Sequence, residues 1–257
     1  MKIHTSAIVH KEAVIDEDVE IGPFSIIGAG VKIGKGTKIG SNVVIEGNVK
    51  IGKNNQILHS AVIGFPPQDV KYRGENTEVV IGNNNIIREF VTIHRASGEG
   101  EKTVLGSNCF LMAYSHLGHN VKVGDNVIIA NMSQLAGYVE VHDFAFISGA
   151  VVIHQFCRVG KYVMIRGRSR LGLDAIPYTI IDGVENTEVK GLNVVGLRRN
   201  GFSDERINIL KKAYKILFRQ NLNTSQAVEV LEKELPQNED IKYLIEFIKR
   251  SKRGIGK

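Results

Sequence analysis

An aliphatic residue recurs at every sixth position through most of this 257-residue chain. Stepping by six from Val9 to Leu171 meets 28 positions, and all but Asp69, Glu75 and Glu99 are aliphatic. A period of six matches neither an α-helix at about 3.6 nor a two-sided strand at 2. It matches a solenoid in which each six-residue unit makes one short flat side. The aliphatic residue points inward. The residue two before it (Ala7, Ala13, Val19, Ser25, Val31) points the same way, because strand side chains alternate. Three after it stands Gly or Asn again and again, as at Gly36, Asn42, Asn54 and Asn108. Both types tolerate the left-handed backbone of a sharp corner. Three sides and three corners close a triangular coil of 18 residues, and the span to Leu171 has length for nine coils.

The period stops near Leu171, and a turn-rich bridge with Pro177, Tyr178 and Gly183 follows. Helical spacing then begins. Ser203 is an N-cap, with Asp204 and Glu205 in the first turn and a stripe of Ile207, Leu210, Tyr214, Leu217 and Phe218. A second helix starts at Thr224 and stops before Pro236, and a third runs from Asn238 toward Gly254. The expected domains are a solenoid over 1–190 and a helical cap over 191–257 that covers the open parallel edge. Within the solenoid, residues 65–78 (FPPQDVKYRGENTE) and 95–103 (RASGEGEKT) lose the pattern and are expected to leave the coil as loops. Loops on a rigid scaffold are where binding residues concentrate.

The N-terminus lacks the apolar stretch of a signal peptide, and no run of about 18 apolar residues occurs. The reading is a cytoplasmic protein with no membrane span. Cys109 and Cys157 fall in the small inward slot on different sides of the prism and read as buried, reduced core residues. The net charge of +6 is concentrated in the last quarter, at Arg198, Arg199, Arg206, Lys211, Lys212, Lys215, Arg219, Lys249, Arg250, Lys252 and Arg253. Such a face is either solvated or a docking patch for an acidic partner. No aromatic-interleaved or helix-turn-helix pattern accompanies it, which argues against nucleic acid.

The histidines carry the chemistry. His116 and His119 flank the inward Leu117, so His119 lies near a corner and can face out; His94 opens the 95–103 loop and His154 follows Ile153. Position 137 is one coil above position 119, so Gly137 belongs beside His119. Three imidazoles (His94, His116, His119) with an open position would suit catalytic zinc, as in carbonic anhydrases built on a similar repeat. A solenoid that serves only as a scaffold is the other bland reading.

Seven segments make the likeness specific: PQDVKY at 67–72, REFVTIHR at 88–95, FLMAYSHLGHN at 110–120, LAGYV at 135–139, FAFISG at 144–149, VVIHQFCRVG at 151–160 and GLNVVGLRRNGFS at 191–203. With them the chain resembles the UDP-N-acetylglucosamine acyltransferases of the first step of lipid A biosynthesis. The resemblance implies a mainly β fold, a left-handed parallel β-helix of hexapeptide repeats with a C-terminal α-helical cap. It implies transfer of an (R)-3-hydroxyacyl group from acyl carrier protein to the 3-hydroxyl of the UDP-sugar. No separate cofactor is implied, since the acyl donor rides on the carrier's phosphopantetheine. His119 matches the general base and the Gly137 N–H the oxyanion donor. Gln68, Asp69, Lys71, His94, His116, Tyr138, His154 and Gln155 match the surroundings of the sugar and phosphates. Asn193 and Arg199 match positions near the nucleotide. Gly167, between Arg166 and Arg168, matches the position that sets acyl length. A homotrimer is implied, with sites between adjacent prisms and the basic cap facing the acidic carrier.

The chain departs from the family near the chemistry. Asn120 stands where Asp commonly follows the catalytic histidine, and Tyr138 where a histidine is frequent. Val195 and Asn200 replace polar and basic residues of the nucleotide segment. A neutral amide stabilises an imidazolium less than a carboxylate does, so the base should be weaker or another carboxylate should assist. A 3-amino UDP-sugar, whose nitrogen is the better nucleophile, is therefore an alternative acceptor. Arg166 or Arg168 is expected to shorten the acyl groove. An acetyl-CoA-dependent hexapeptide transferase differs from all of these in its donor.

Overall fold

The computed structural model describes residues 1–183 and 187–256. The chain folds as the expected left-handed parallel β-helix with a helical cap. Among the described residues, two- to five-residue strands stack into three faces of eleven, nine and eight strands. Coil-to-coil register is strict, with Ile21 on Ile39, Ile27 on Ile45 and Ile33 on Ile51. The six-step aliphatics fill the prism, from Ile21 to Leu171 at 0–4 % exposure. Each buried Ile or Leu contributes on the order of 1.5–3 kcal/mol of burial. Both cysteines are free and buried in that core, and burial pushes each thiol up to about 11.

Nine coils is one too many. Ile57 pairs with Ile87 and Ile63 with Ile93, 12 residues beyond one coil, because the 65–78 segment leaves the prism. Ile87 pairs with Leu111 and Ile81 with Leu105, six residues beyond, because the 95–103 segment also leaves. Val9 and Leu171 therefore lie in the first and ninth strands of one face, eight steps of about 4.8 Å, or roughly 40 Å of prism. Both extrusions are multiples of six, so the sequence phase survives them unmarked.

The corners are broader in composition than Gly and Asn. Phe90, Tyr114, Tyr138, Phe144, Phe156 and Tyr162 all sit there with φ between 58° and 65°. A bulky residue in that region costs about 1–2 kcal/mol. Stacking on the equivalent residue one coil away offsets it. Phe90–Tyr114, Tyr138–Phe156 and Phe144–Tyr162 are each stacked at 4.8 Å.

The bridge after Leu171 is a strand pair. Thr179–Asp182 adds parallel to Met164–Ile165, and Glu188–Leu192 closes that face antiparallel. Helix α1 (Val194–Arg199) follows, then α2 (Asp204–Arg219), α3 (Thr224–Glu234) and α4 (Glu239–Lys249). Ser203, Asn223 and Asn238 cap the last three, accepting from Arg206, Gln226 and Ile241 N–H. The stripe of α2 buries Ile207, Leu210 and Leu217, with Tyr214 and Phe218 half-buried. The cap does more than cover an edge, since α4 also leans on the eight-stranded face. There the Tyr243 hydroxyl meets His142 Nδ1 at 2.8 Å, and Arg158 donates to Phe247 O at 3.1 Å.

Arg206 grips Asp240 with two bonds of 2.9 Å, and the Tyr178 hydroxyl donates to the same carboxylate. Asp240→Ala leaves both donors unmatched. The expected cost is about 2 kcal/mol in urea unfolding, mainly from the buried Tyr178 hydroxyl, because the Arg206 side chain is 46 % exposed and reaches water. Other basic residues of the anticipated docking patch are likewise paired: Arg198 with Asp204, Lys249 with Glu232 and Arg250 with Glu246. Among the described residues Arg199, Lys211, Lys212, Lys215, Arg219 and Lys252 have no carboxylate partner.

Candidate active site

The corner after the nine-stranded face carries the polar groups. Both extruded loops spring from it, and they zip together above it. Asn76 N–H donates to Glu99 at 3.0 Å, Gly100 N–H to Asn76 O at 3.0 Å, and Arg95 N–H to Phe65 O at 3.1 Å. Under the loops lies a pocket of about 220 Å³, lined among others by Gln68, His94, His116, His119, Gly137 and Gln155.

His119 points off the prism, but it is buried rather than open to solvent, at 8 % exposure. The loops cover it. Its ring lies so close over Gly137 that any side chain there would overlap Cε1 and Nε2. Tyr138 N–H donates to His119 O at 3.0 Å, which stacks the two coils as the spacing requires. Among the described residues the Gly137 N–H has no acceptor. Asn120 takes the corner itself, with φ 59°, and its Oδ1 is 2.9 Å from His119 Nδ1.

His94 and His116 meet edge-on at 5.2 Å. His94 Nδ1 donates to Pro66 O at 2.9 Å, and His116 Nδ1 pairs with the Thr92 hydroxyl at 2.7 Å. Burial lowers both imidazoles, with neighbouring histidines adding to it, and His116 falls to about 4. Both are neutral near pH 7. His116 in the unfolded chain binds its proton near 6.5, so unfolding is favoured progressively as pH falls from there to about 4. The expected loss of stability is on the order of 3 kcal/mol. Urea unfolding across that window should show the slope, and His116→Gln should remove most of it. Among the described residues, no three of His, Cys, Asp or Glu converge to hold a metal ion.

Asp69 is held below the usual carboxylate range, first by the Lys71 N–H at 3.0 Å, then by the Ser97 hydroxyl and by nearby His119 and Lys71. Lys71 itself is exposed. Tyr138 meets the His119 ring edge-on at 5.3 Å, yet it lines a different cleft. That cleft, about 750 Å³, runs between the eight-stranded face and residues 249–253 of the cap. The corner thus divides two hollows. His119, Gly137 and Gln155 face one, and their successors Asn120, Tyr138 and Phe156 face the other.

Other expected residues lie elsewhere in the single chain. His154 is exposed beside Gln155 and does not line the pocket. Asn193 caps α1, accepting from Gly196 N–H at 3.1 Å and donating to Tyr162 O at 2.9 Å. Arg199 is exposed on the last turn of that helix. Gly167 and Arg168 occupy the corner before the nine-stranded face, one corner away from His119. Arg166 is tied to Asp182 at 3.2 Å. Residues missed by spacing are Ser97 and Thr103, which bind Asn120, and Gln134 in the pocket. Gln134 stacks on His116, so the repeat could have found it. Ser97 lies in a loop without period.

Comparison with known proteins agrees with this geometry. Residues 174–256 match the family model for UDP-N-acetylglucosamine O-acyltransferase domain 2. Residues 12–47, 30–64 and 102–137 match bacterial transferase hexapeptide repeats. The chain is 55 % identical to an acyl-[acyl-carrier-protein]–UDP-N-acetylglucosamine O-acyltransferase of Thermodesulfovibrio yellowstonii, over 99 % of this chain and 98 % of that one. The Burkholderia orbicola enzyme of the same name is 49 % identical over 99 % and 98 %. The crystal structure of the UDP-N-acetylglucosamine acyltransferase of Bacteroides fragilis superposes with a TM-score of 0.96 at 43 % identity, covering 99 % of both chains. On these grounds the chain belongs to the UDP-N-acetylglucosamine O-acyltransferase family.

Proposed function

We propose that this chain transfers an (R)-3-hydroxyacyl group from acyl carrier protein to the 3-hydroxyl of UDP-N-acetylglucosamine, the first step of lipid A biosynthesis, with His119 as general base. The observation that carries the mechanism is the buried His119 ring lying over Gly137. A sugar hydroxyl attacks a thioester only as its proton leaves, and imidazole suits that transfer near neutral pH. His119 takes the proton as the hydroxyl oxygen bonds to the thioester carbon. The unpartnered Gly137 N–H is available to the resulting oxyanion. When the tetrahedral intermediate collapses, the C–S bond breaks and the imidazolium returns the proton to the pantetheine sulfur. Gln68, Asp69, His94, His116 and Gln155 then surround the sugar.

A homotrimer is supported by the outer side of the eleven-stranded face. Ile86, Phe110, Ile128, Phe146 and Met164 stack there in register, all half-exposed in one chain. Phe24, Tyr114 and Met132 stand exposed on the adjoining corner. A second copy covering this surface would bring Gly167, Asn193 or Arg199 of one prism toward the pocket of the next. Sedimentation should give a trimer, and Phe110→Glu should dissociate it. Among the described residues no helix is long and apolar enough to cross a membrane, which is compatible with a cytoplasmic enzyme.

The test offers hydroxyacyl groups on carrier protein or on CoA, each with the 3-hydroxyl and the 3-amino UDP-sugar. The carrier-bound donor and hydroxyl acceptor are expected to be preferred in kcat/KM. Equal use of CoA would remove the carrier from the account. Faster turnover of the amine would replace the acceptor.

A further inference from the structure

We infer that Asn120 is the positioning residue of the base: clamped by the backbone of Ser97, it holds neutral His119 with its proton on Nδ1 and leaves the Nε2 lone pair for the acceptor. The inference rests on His119 acting as the base. It begins with an amide whose two ends can be told apart. Asn120 is 3 % exposed and sits at a left-handed corner. Ser97 N–H donates to its Oδ1 at 2.9 Å, and its Nδ2 donates to Ser97 O at 3.1 Å. A backbone N–H only donates and a backbone carbonyl only accepts, so Ser97 identifies the oxygen. The same oxygen lies 2.9 Å from His119 Nδ1. An amide oxygen accepts only, so Nδ1 must carry the ring proton. The Asn120 N–H, bonded to the Thr103 hydroxyl at 3.0 Å, pins the other side.

This explains why the corner suits an amide. A carboxylate at 120 would set one oxygen against Ser97 O, where Nδ2 now stands at 3.1 Å. Two acceptors facing each other, shielded from water, repel. Orientation and charge are therefore supplied by separate residues. Asn120 orients. The carboxylate that senses His119 is Asp69 on the 65–78 loop, and the nearby Ser97 side chain helps hold it below its ordinary range. The same Ser97 thus joins both loops to the base. The other titratable groups around His119 are His116 from its own coil, His94 from the coil below and Tyr138 from the coil above, with Glu101 at the edge of the cleft that Asn120 lines.

Nitrogen NMR of full-length protein labelled in histidine reads the tautomer directly, with the His119 signal assigned from its loss in His119→Gln. Wild-type His119 is expected as the Nδ1–H form at mildly alkaline pH, the opposite of free histidine's preference. In Asn120→Ala the proton is expected to move to Nε2, and kcat to fall at least about 10-fold with the KM for the UDP-sugar unchanged. Asn120→Asp is expected to keep the tautomer, because a carboxylate also accepts, and to move the acidic limb of the kcat profile to higher pH by stabilising the imidazolium. Wild-type His119 as the Nε2–H form overturns the inference, and that measurement needs no variant to fold. An unchanged tautomer and kcat in Asn120→Ala overturns it too. Undiminished turnover in His119→Gln instead refutes the base, whatever tautomer is observed.

Discussion

His119→Ala is expected to lower kcat by about 10²- to 10⁴-fold, the range that a positioned general base contributes. The ring is buried between two coils and the loop cover, so water has little room to replace it in the correct place. His94 cannot substitute, because its Nδ1 is committed to Pro66 O and its ring is turned edge-on to His116. His116 cannot either, because burial makes it too weak a base. The KM for the UDP-sugar should change little, since Gln68, His116 and Gln155 remain. Steady-state rates at saturating donor and acceptor check this, and a loss smaller than about 10-fold would assign the proton to another group.

Gly137→Ala is expected to be nearly as damaging, about 10²-fold in kcat, for a reason that has nothing to do with backbone freedom. Gly137 is not among the residues with positive φ. What a methyl would meet is His119 Cε1 and Nε2, the edge of the ring that takes the proton. The ring must tilt, which strains its bond to Asn120, and a misplacement of about 1 Å can cost 10²-fold in rate. Gly167→Ala is the contrast. There the nearest atom to an added Cβ is Gly149 O at 3.3 Å, and no catalytic ring is touched. Unchanged circular dichroism in Gly137→Ala would show that the solenoid persists while activity is lost. Near wild-type kcat would mean that the ring does not work from this position.

Much of this geometry could be read from a period of six, because burial in a triangular prism repeats with that period. The faces, the inward cysteines, the stacking of Gly137 on His119 and the corner role of Asn120 all follow from it. The three lapses mark the two loops, but not their cost in coils, since insertions of 12 and six residues preserve the phase. Bulky corners escaped the reading because their strain is relieved by stacking between coils, a property of pairs rather than single positions. The strand pair and the α1 helix after Leu171 are too short for a periodic signal. Asn193 illustrates a different limit. Its type suits both a nucleotide contact and a helix cap, and within the single chain its bonds to Gly196 and Tyr162 make it the cap of α1. The clamp on Asn120 was hidden most deeply, since Ser97 acts through its backbone from an aperiodic loop.

The most direct test of the central claim is the product itself. Purified protein, UDP-N-acetylglucosamine and (R)-3-hydroxyacyl carrier protein should yield a UDP-sugar heavier by one hydroxyacyl group. Proton NMR should place the ester at the 3-position by the downfield shift of the sugar's H-3. A UDP-sugar recovered unchanged, or acylated at any other position, would contradict the account.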